Sequence, residues 1–257
     1  MLFHFWEYLL YFLKKENSHS LHSPFYFNLY RNLQSYIKEN KAGNDKIEAI
    51  RKYFLGSNHK ISSTDFGAGS RWFGKGKRSI SAIMKRAGSP VKCSLIYSFL
   101  CKQTPAKTVL DLGTSLGVNT AYLMREVKGT LYSFEGDPEL LALAEKHLRP
   151  NPELYLIGGD LKLTLPKALE SLSTIDFVLI DANHRYAPTL AYFNAISPKL
   201  HKKSIVVIAD IHWSGEMKSA WEEIKIRSEV GSSIDFFDFG VLFFHPSAFK
   251  NHFVLEI

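Results

Sequence analysis

The stretch 108–120, TVLDLGTSLGVNT, reads as a short buried strand, a glycine-bearing turn and the start of a helix. TVLDL (108–112) has the near-continuous apolar character of a strand covered on both faces. Gly113 and Gly117 let the backbone turn tightly and leave room for a ligand against it. The helix that follows would present free N–H groups to a carboxylate or phosphate. The spacing is not the GxGxxG dinucleotide fingerprint, because positions 115 and 118 are Ser and Val.

Downstream, the same strand-then-helix unit recurs. Strands are expected at TVLDL (108–112), TLYSF (130–134), ELYLI (153–157), DFVLI (176–180) and SIVVIA (204–209). Helices are expected between and after them, at 117–127, 138–148, 163–172, 188–196 and 216–228. The alternation predicts an α/β fold, doubly wound on a mostly parallel, seven-stranded Rossmann-like sheet. After residue 231 the runs SSIDFF, GVLFF and HFVLEI leave no room for crossover helices, so an antiparallel C-terminal edge is expected.

Upstream, residues 1–60 read as an N-terminal helical extension. Ser23-Pro24 marks a helix start, and apolar residues from Phe25 to Ile37 carry that helix to about Lys38. MLFHFWEYLLYFLKK is too short to span a bilayer, which takes roughly 20 apolar residues, and no transmembrane segment is expected. It reads as an amphipathic helix docked on the domain or at a homodimer seam, with interfacial membrane contact as the alternative. Residues 61–105 form a basic lid and lead-in helices, and 106–257 form the core.

With 257 residues, 46% hydrophobic and 22% charged, the composition excludes disordered, collagenous and disulfide-scaffold classes. The net charge of +7 is concentrated in Arg71, Lys75, Lys77, Arg78, Lys85, Arg86, Lys92, Lys102 and Lys107, a block with no acid between Phe66 and Leu110. Such a block suits a solvated face, an anionic acceptor or nucleic acid. Cys93 and Cys101 fall on one expected helix about 12 Å apart, too far for a disulfide. With no secretion signal in view, a reduced, cytoplasmic protein is expected.

In doubly wound sheets ligands bind beyond the C-terminal ends of the strands. Glu135 ends the second strand, 22 positions after Gly113, near the spacing at which an acid reaches ribose hydroxyls. After the third strand, Asp160 could accept from an adenine amino group with Leu161 over the ring; a helix N-cap is the competing role for Asp160. After the fourth and fifth come Asp181 with His184, and Asp210 with His212. Two strand-terminal acids, each beside a histidine, point to acid–base chemistry rather than packing.

VLDLGTSLGVNTAYL (109–123), the acid in SFEGDPE (133–139), GGD (158–160) and VLIDANHR (178–185) resemble the successive motifs of class I S-adenosylmethionine-dependent methyltransferases, in the catechol O-methyltransferase-like branch. HSPF (22–25), DFGAGS (65–70), LDLGTSLG (110–117) and DIHWS (210–214) are similar to motifs of a little-characterised bacterial group within it. The resemblance runs from about residue 20 to the C-terminus. It implies S-adenosylmethionine as cofactor, with Gly113, Ser115, Gly117 and Asn119 around its methionine end and Asp111, Thr114 and Gly136 alongside. It implies Glu135 on the ribose, Asp160 with Leu161 on the adenine, and Asp181 near the transferred methyl.

The chain departs from that branch at the metal. Asp181 and Asp210 match two of its metal-binding acids, but its asparagine ligand is replaced by Ile211 and its lysine by His184. An aliphatic side chain cannot ligate, so metal-independent chemistry is expected. A softer divalent metal held by Asp181, Asp210 and His212 is the alternative. The expected function is O-methylation of a small anionic or aromatic acceptor. His184 would be general base, Asp181 its support, and Asp210 with His212 would position the acceptor. The rivals are an RNA methyltransferase using the basic 71–107 segment and a non-catalytic binding subunit of the same fold.

Overall fold

The computed structural model describes residues 2–17, 20–62, 77–148, 150–246 and 250–257. Three helices come first: α1 (Leu2–Lys14), α2 (Pro24–Glu39) and α3 (Asp45–Gly56). The short strands β1 (Lys60–Ile61) and β2 (Arg78–Ser79) pair antiparallel, and α4 (Ile80–Ala87) and α5 (Val91–Lys102) lead into the main sheet. There β3 (Thr108–Leu112), α6 (Val118–Met124), β4 (Thr130–Glu135), α7 (Pro138–Leu148) and β5 (Leu154–Gly158) alternate. The alternation continues through α8 (Leu161–Glu170), β6 (Ile175–Ile180), α9 (Tyr186–Ile196), β7 (Leu200–Ala209) and α10 (Gly215–Lys225). Strands β8 (Ser232–Asp235), β9 (Phe239–Phe243) and β10 (Asn251–Val254) follow. Of the expected lid, residues 63–76, which include all of DFGAGS with Arg71 and Lys75, lie outside the described residues.

The main sheet has the order β10-β8-β9-β7-β6-β3-β4-β5. β7, β6, β3, β4 and β5 are parallel neighbours, as their continuous apolar runs require; every residue of β6 is buried. The reversal expected near the C-terminus is supplied by β9, antiparallel to both β7 and β8. The sheet has eight strands rather than the expected seven, and β10 lies parallel to β8. A short connection obliges the strands it joins to be antiparallel, but it does not oblige them to be adjacent. Phe243 and Asn251 both stand opposite Ser232, so the end of β9 and the start of β10 flank β8 at one end of the sheet, two strand spacings or about 10 Å apart.

One sheet face is covered by α2, α5 and α6, the other by α8, α9 and α10. Helix α5 is buried continuously from Cys93 to Cys101, as a helix apolar on all sides must be. Both cysteines sit on it as free thiols, and burial pushes the Cys93 thiol up to about 12. The described members of the basic block do not share one end. Lys77, Arg78, Lys85 and Arg86 flank the strand tips, whereas Lys102 and Lys107 lie where α5 feeds β3 from the opposite end.

Helix α1 docks on the hairpin between β8 and β9 through a buried charge cluster. Glu7 Oε2 is 3.0 Å from His212 Nδ1, and Glu7 Oε1 accepts from Lys218 Nζ at 2.6 Å. His212 Nε2 is 2.8 Å from Asp235 Oδ2, and the imidazole stacks on Phe237. Burial alone would lower the His212 pKa, but the hydrogen bonds and charges of Asp235 and Glu7 outweigh it and raise it. The folded state therefore holds this proton more tightly than the unfolded chain does. The resulting stability is fully present below the ordinary histidine value of about 6.5 and is lost as pH rises through the raised one.

Removing the ring would leave two buried carboxylates short of a cation. His212→Ala is expected to cost about 3–5 kcal/mol, roughly 10 °C in Tm, near pH 6. The deficit should shrink as pH rises toward 9. Thermal melts of both proteins across that range check this, and a pH-independent gap would show that charge is not what binds the ring.

Candidate functional site

The strand order reverses between β3 and β6, and the candidate site lies at that crevice. Gly113 has φ +117°, and a Cβ built there would stand 2.1 Å from the Asp181 carbonyl oxygen. Only glycine brings the two strand ends this close. The N–H groups of Gly113 and Thr114 both donate to Phe134 O, which draws the turn over the tip of β4. Gly117, φ +78°, then opens α6.

This register sets Glu135 beside the glycine turn. Its Oε2 accepts from the Ser115 N–H at 2.6 Å and its Oε1 from the Asp137 N–H at 2.9 Å. Burial raises its pKa, against the N–H groups of Asp137, Ser115 and Gly136, which favour the charged form. Thr114 is buried, with Oγ1 2.6 Å from Ser133 Oγ, so its side chain braces the turn from beneath. Asp111 is fully buried, its Oδ2 accepting from Thr120 and Ser133 at 2.6 and 2.9 Å. Its Oδ1 has no hydrogen-bond partner among the described residues, and burial pushes the carboxyl up to about 7. A buried acceptor left unsatisfied below a binding turn is costly unless a ligand donates to it.

Asn119 joins the turn to the helical layer. Its Nδ2 donates to Ser89 Oγ at 2.9 Å and lies 3.4 Å from Asp181 Oδ2, while its Oδ1 accepts from Ser94 Oγ at 2.8 Å. Behind these serines, Arg51 of α3 is buried, donates to Ser94 Oγ at 3.1 Å and to the Ser89 carbonyl, and pairs with Glu48. Met84, Gly88 and Ser89 line the same pocket as Gly113, Ser115 and Asn119. Sequence reading missed Arg51, Met84, Gly88, Ser89 and Ser94; the one local signal was the helix-breaking Gly-Ser-Pro at 88–90.

Asp181, His184 and Asp210 converge at the tips of β6 and β7. His184 Nε2 is 3.8 Å from Asp181 Oδ1, and Nδ1 is 3.5 Å from Asp210 Oδ2. Burial pushes Asp181 up to about 6, with His184 working to lower it and Asp210 to raise it. Ser115, Asn183, His184 and Asp210 all have positive φ without being glycine, a concentration of backbone strain around one crevice.

Two expected residues, His212 and Leu161, turn away from the crevice. His212 does not reach the acceptor side; its ring is held between Glu7 and Asp235, so its expected positioning role is replaced by the α1 anchor. Asp160 is exposed and caps α8, with Oδ1 accepting from the Lys162 N–H at 2.9 Å, and Leu161 packs into the core under that helix. Gly159 N donates to Glu135 O, so Asp160 still stands on the strand tip next to Glu135. Ile211 is fully buried in the core and offers no ligand.

Residues 110–211 match a sequence family described as a methyltransferase domain. No curated protein sequence matches the chain. Among solved structures the fold is similar to a methyltransferase from Podospora anserina, PaMTH1, bound to S-adenosylhomocysteine. The identity is 13%, the TM-score 0.60, and the match covers 85% of this chain and 96% of that one. It is also similar to an O-methyltransferase from Bacillus cereus in complex with the same compound, at 12% identity and TM-score 0.55, covering 82% and 99%. The O-methyltransferase TomG from Streptomyces achromogenes, in complex with S-adenosylmethionine, is 18% identical with TM-score 0.52, covering 62% and 82%.

Proposed function

We propose that the chain, whose residues 110–211 match a methyltransferase domain, is an S-adenosylmethionine-dependent methyltransferase of class I architecture that methylates a hydroxyl group of a small acceptor. The observation that carries the reading is the crevice itself, where Gly113 is pressed against Asp181 and Glu135 stands on the adjoining tip. Three features support an adenosyl cofactor there: a glycine cradle that any Cβ would fill, an acid beside it, and the unsatisfied Asp111 Oδ1. Gly113, Ser115, Gly117 and Asn119 would hold the methionine end, with Asp111, Thr114 and Gly136 around the turn. Glu135 would hold the ribose, and Asp160 the adenine. When bound, the cofactor supplies an activated methyl group on a sulfonium leaving group.

The residues of the chain then have two tasks: to align the acceptor oxygen with the methyl carbon, at roughly 3 to 3.5 Å, and to remove its proton. The 3.8 Å opening between His184 Nε2 and Asp181 Oδ1 lets a hydroxyl sit within hydrogen-bond reach of both. His184 would take the proton from the acceptor hydroxyl as that oxygen is methylated. Asp181 and Asp210 stabilise the imidazolium that results, and the proton passes from His184 to solvent.

A second reading is favoured by the donor set. One ligand atom from each of Asp181, His184 and Asp210 lies within 4.8 Å of the others. Two oxygens and a nitrogen fit a divalent cation softer than magnesium, which would polarise the acceptor oxygen. His184 cannot serve as ligand and base at once.

Calorimetry and a turnover assay test both. Saturable uptake of S-adenosylmethionine is expected, and its absence would end the cofactor reading. Turnover that survives exhaustive chelation supports His184 as base. Turnover lost on chelation and restored by manganese or zinc supports the cation.

A further inference from the structure

Helix α1 is built inside out. Its buried residues are Glu7 and Tyr11, whose side chains reach Lys218, His212 and the Leu255 carbonyl. Turning about 100° per residue, His4 and Lys14 fall on the same inward half as Glu7. The opposite half consists of Phe5, Trp6, Leu9, Phe12 and Leu13, and Leu10 lies on the flank, about 60° from Glu7. All six are exposed, Leu13 at 71% and Phe5 at 63%, whereas Glu7 is 5% exposed. A surface helix of a water-soluble fold places these faces the other way round. A contiguous apolar face of this kind marks an interaction surface.

We propose that this face of α1 docks on an anionic lipid bilayer. Its chemistry is that of an interfacial helix: bulky aliphatic and aromatic residues along one side, with Trp6 among them and Lys14 and Lys15 at the end of the helix. The helix is 13 residues long, about 20 Å, so it can lie in an interface but cannot span one. The chain's net charge of +7 attracts an anionic surface and repels a second copy. Area argues the same way. One face of such a helix offers a few hundred Å², and even two facing copies fall short of the roughly 1,200 Å² of a stable interface.

The helix starts beside the catalytic crevice. The His4 ring lies 6.5 Å from that of Trp213, an exposed residue three positions after Asp210. The N-terminal end of α1 therefore lies on the Asp210 side of the cleft.

Cosedimentation with vesicles tests the proposal without requiring methyl transfer. The full chain is mixed with phosphatidylcholine vesicles holding about 30 mol% phosphatidylglycerol, and with phosphatidylcholine vesicles alone. The chain is expected to pellet with the anionic vesicles, more weakly with the neutral ones, and to lose part of its binding at high salt. The triple variant Phe5→Glu, Leu9→Glu, Leu13→Glu changes only exposed side chains, and circular dichroism should match the parent. Its partition coefficient is expected to fall at least about 100-fold. A parent chain that stays in the supernatant overturns the proposal, as does a variant that pellets equally well. So does a parent that is dimeric by light scattering, is monomeric as the variant, and ignores vesicles, because the face then belongs to a second copy.

Discussion

Gly113→Ala is expected to weaken S-adenosylmethionine binding by at least about 100-fold, close to 3 kcal/mol, although it adds a single methyl group. Two costs combine. The backbone at φ +117° lies where side-chain-bearing residues are strained, and the new Cβ would stand 2.1 Å from Asp181 O and 2.8 Å from its carbonyl carbon. Both obstructing atoms are backbone, so no rotamer change relieves the contact. Asp181 N also donates to Leu112 O at 2.9 Å, so separating the two segments breaks the register between β3 and β6 where the ligand sits. Gly56→Ala is the matched control. Nothing lies within 4 Å of its Cβ position at the end of α3, and that variant should bind normally. Calorimetry on both decides; normal affinity in Gly113→Ala would place the cofactor elsewhere.

His184→Ala is expected to lower kcat about 10²- to 10⁴-fold while the affinity for S-adenosylmethionine stays within a few-fold. Among the described residues the His184 ring meets both carboxylates at the crevice, and it stands away from the Ser115–Glu135 contact. The measurement is release of S-adenosylhomocysteine across a panel of catechols, phenols and hydroxy acids, with substrate and cofactor varied separately. A loss confined to cofactor KM would make His184 a binding residue. Unchanged turnover would remove it from the chemistry. The His212→Ala chain offers a useful contrast, because its defect should lie in stability and pH response rather than in kcat.

Much of the architecture was legible along the chain. Strand and helix positions follow from periodicity, and the five parallel strands fall within a residue or a few of their expected places because each is a continuous apolar run closed by turn residues. The cradle was legible for a related reason. Gly113, Gly117, Glu135 and Asp181 owe their places to where a strand stops, and strand ends are a local property.

The direction of a side chain leaving a strand end is not local. His184 and His212 each stand near a strand-terminal aspartate, and nothing nearby in sequence separates them. The partners of His212, Glu7 and Asp235, lie 205 and 23 residues away, and they draw the ring into the protein before it can serve the crevice. The bracing of Asn119 by Arg51 through Ser94 likewise joins three segments that meet only after the helices pack on the sheet. The same applies to the seat of β10 beside β8. Hydrophobic period and turn chemistry act over a few residues and so appear in the one-dimensional pattern. Pairing of buried charges and choice of a strand neighbour depend on distance in space, and only the folded chain has that.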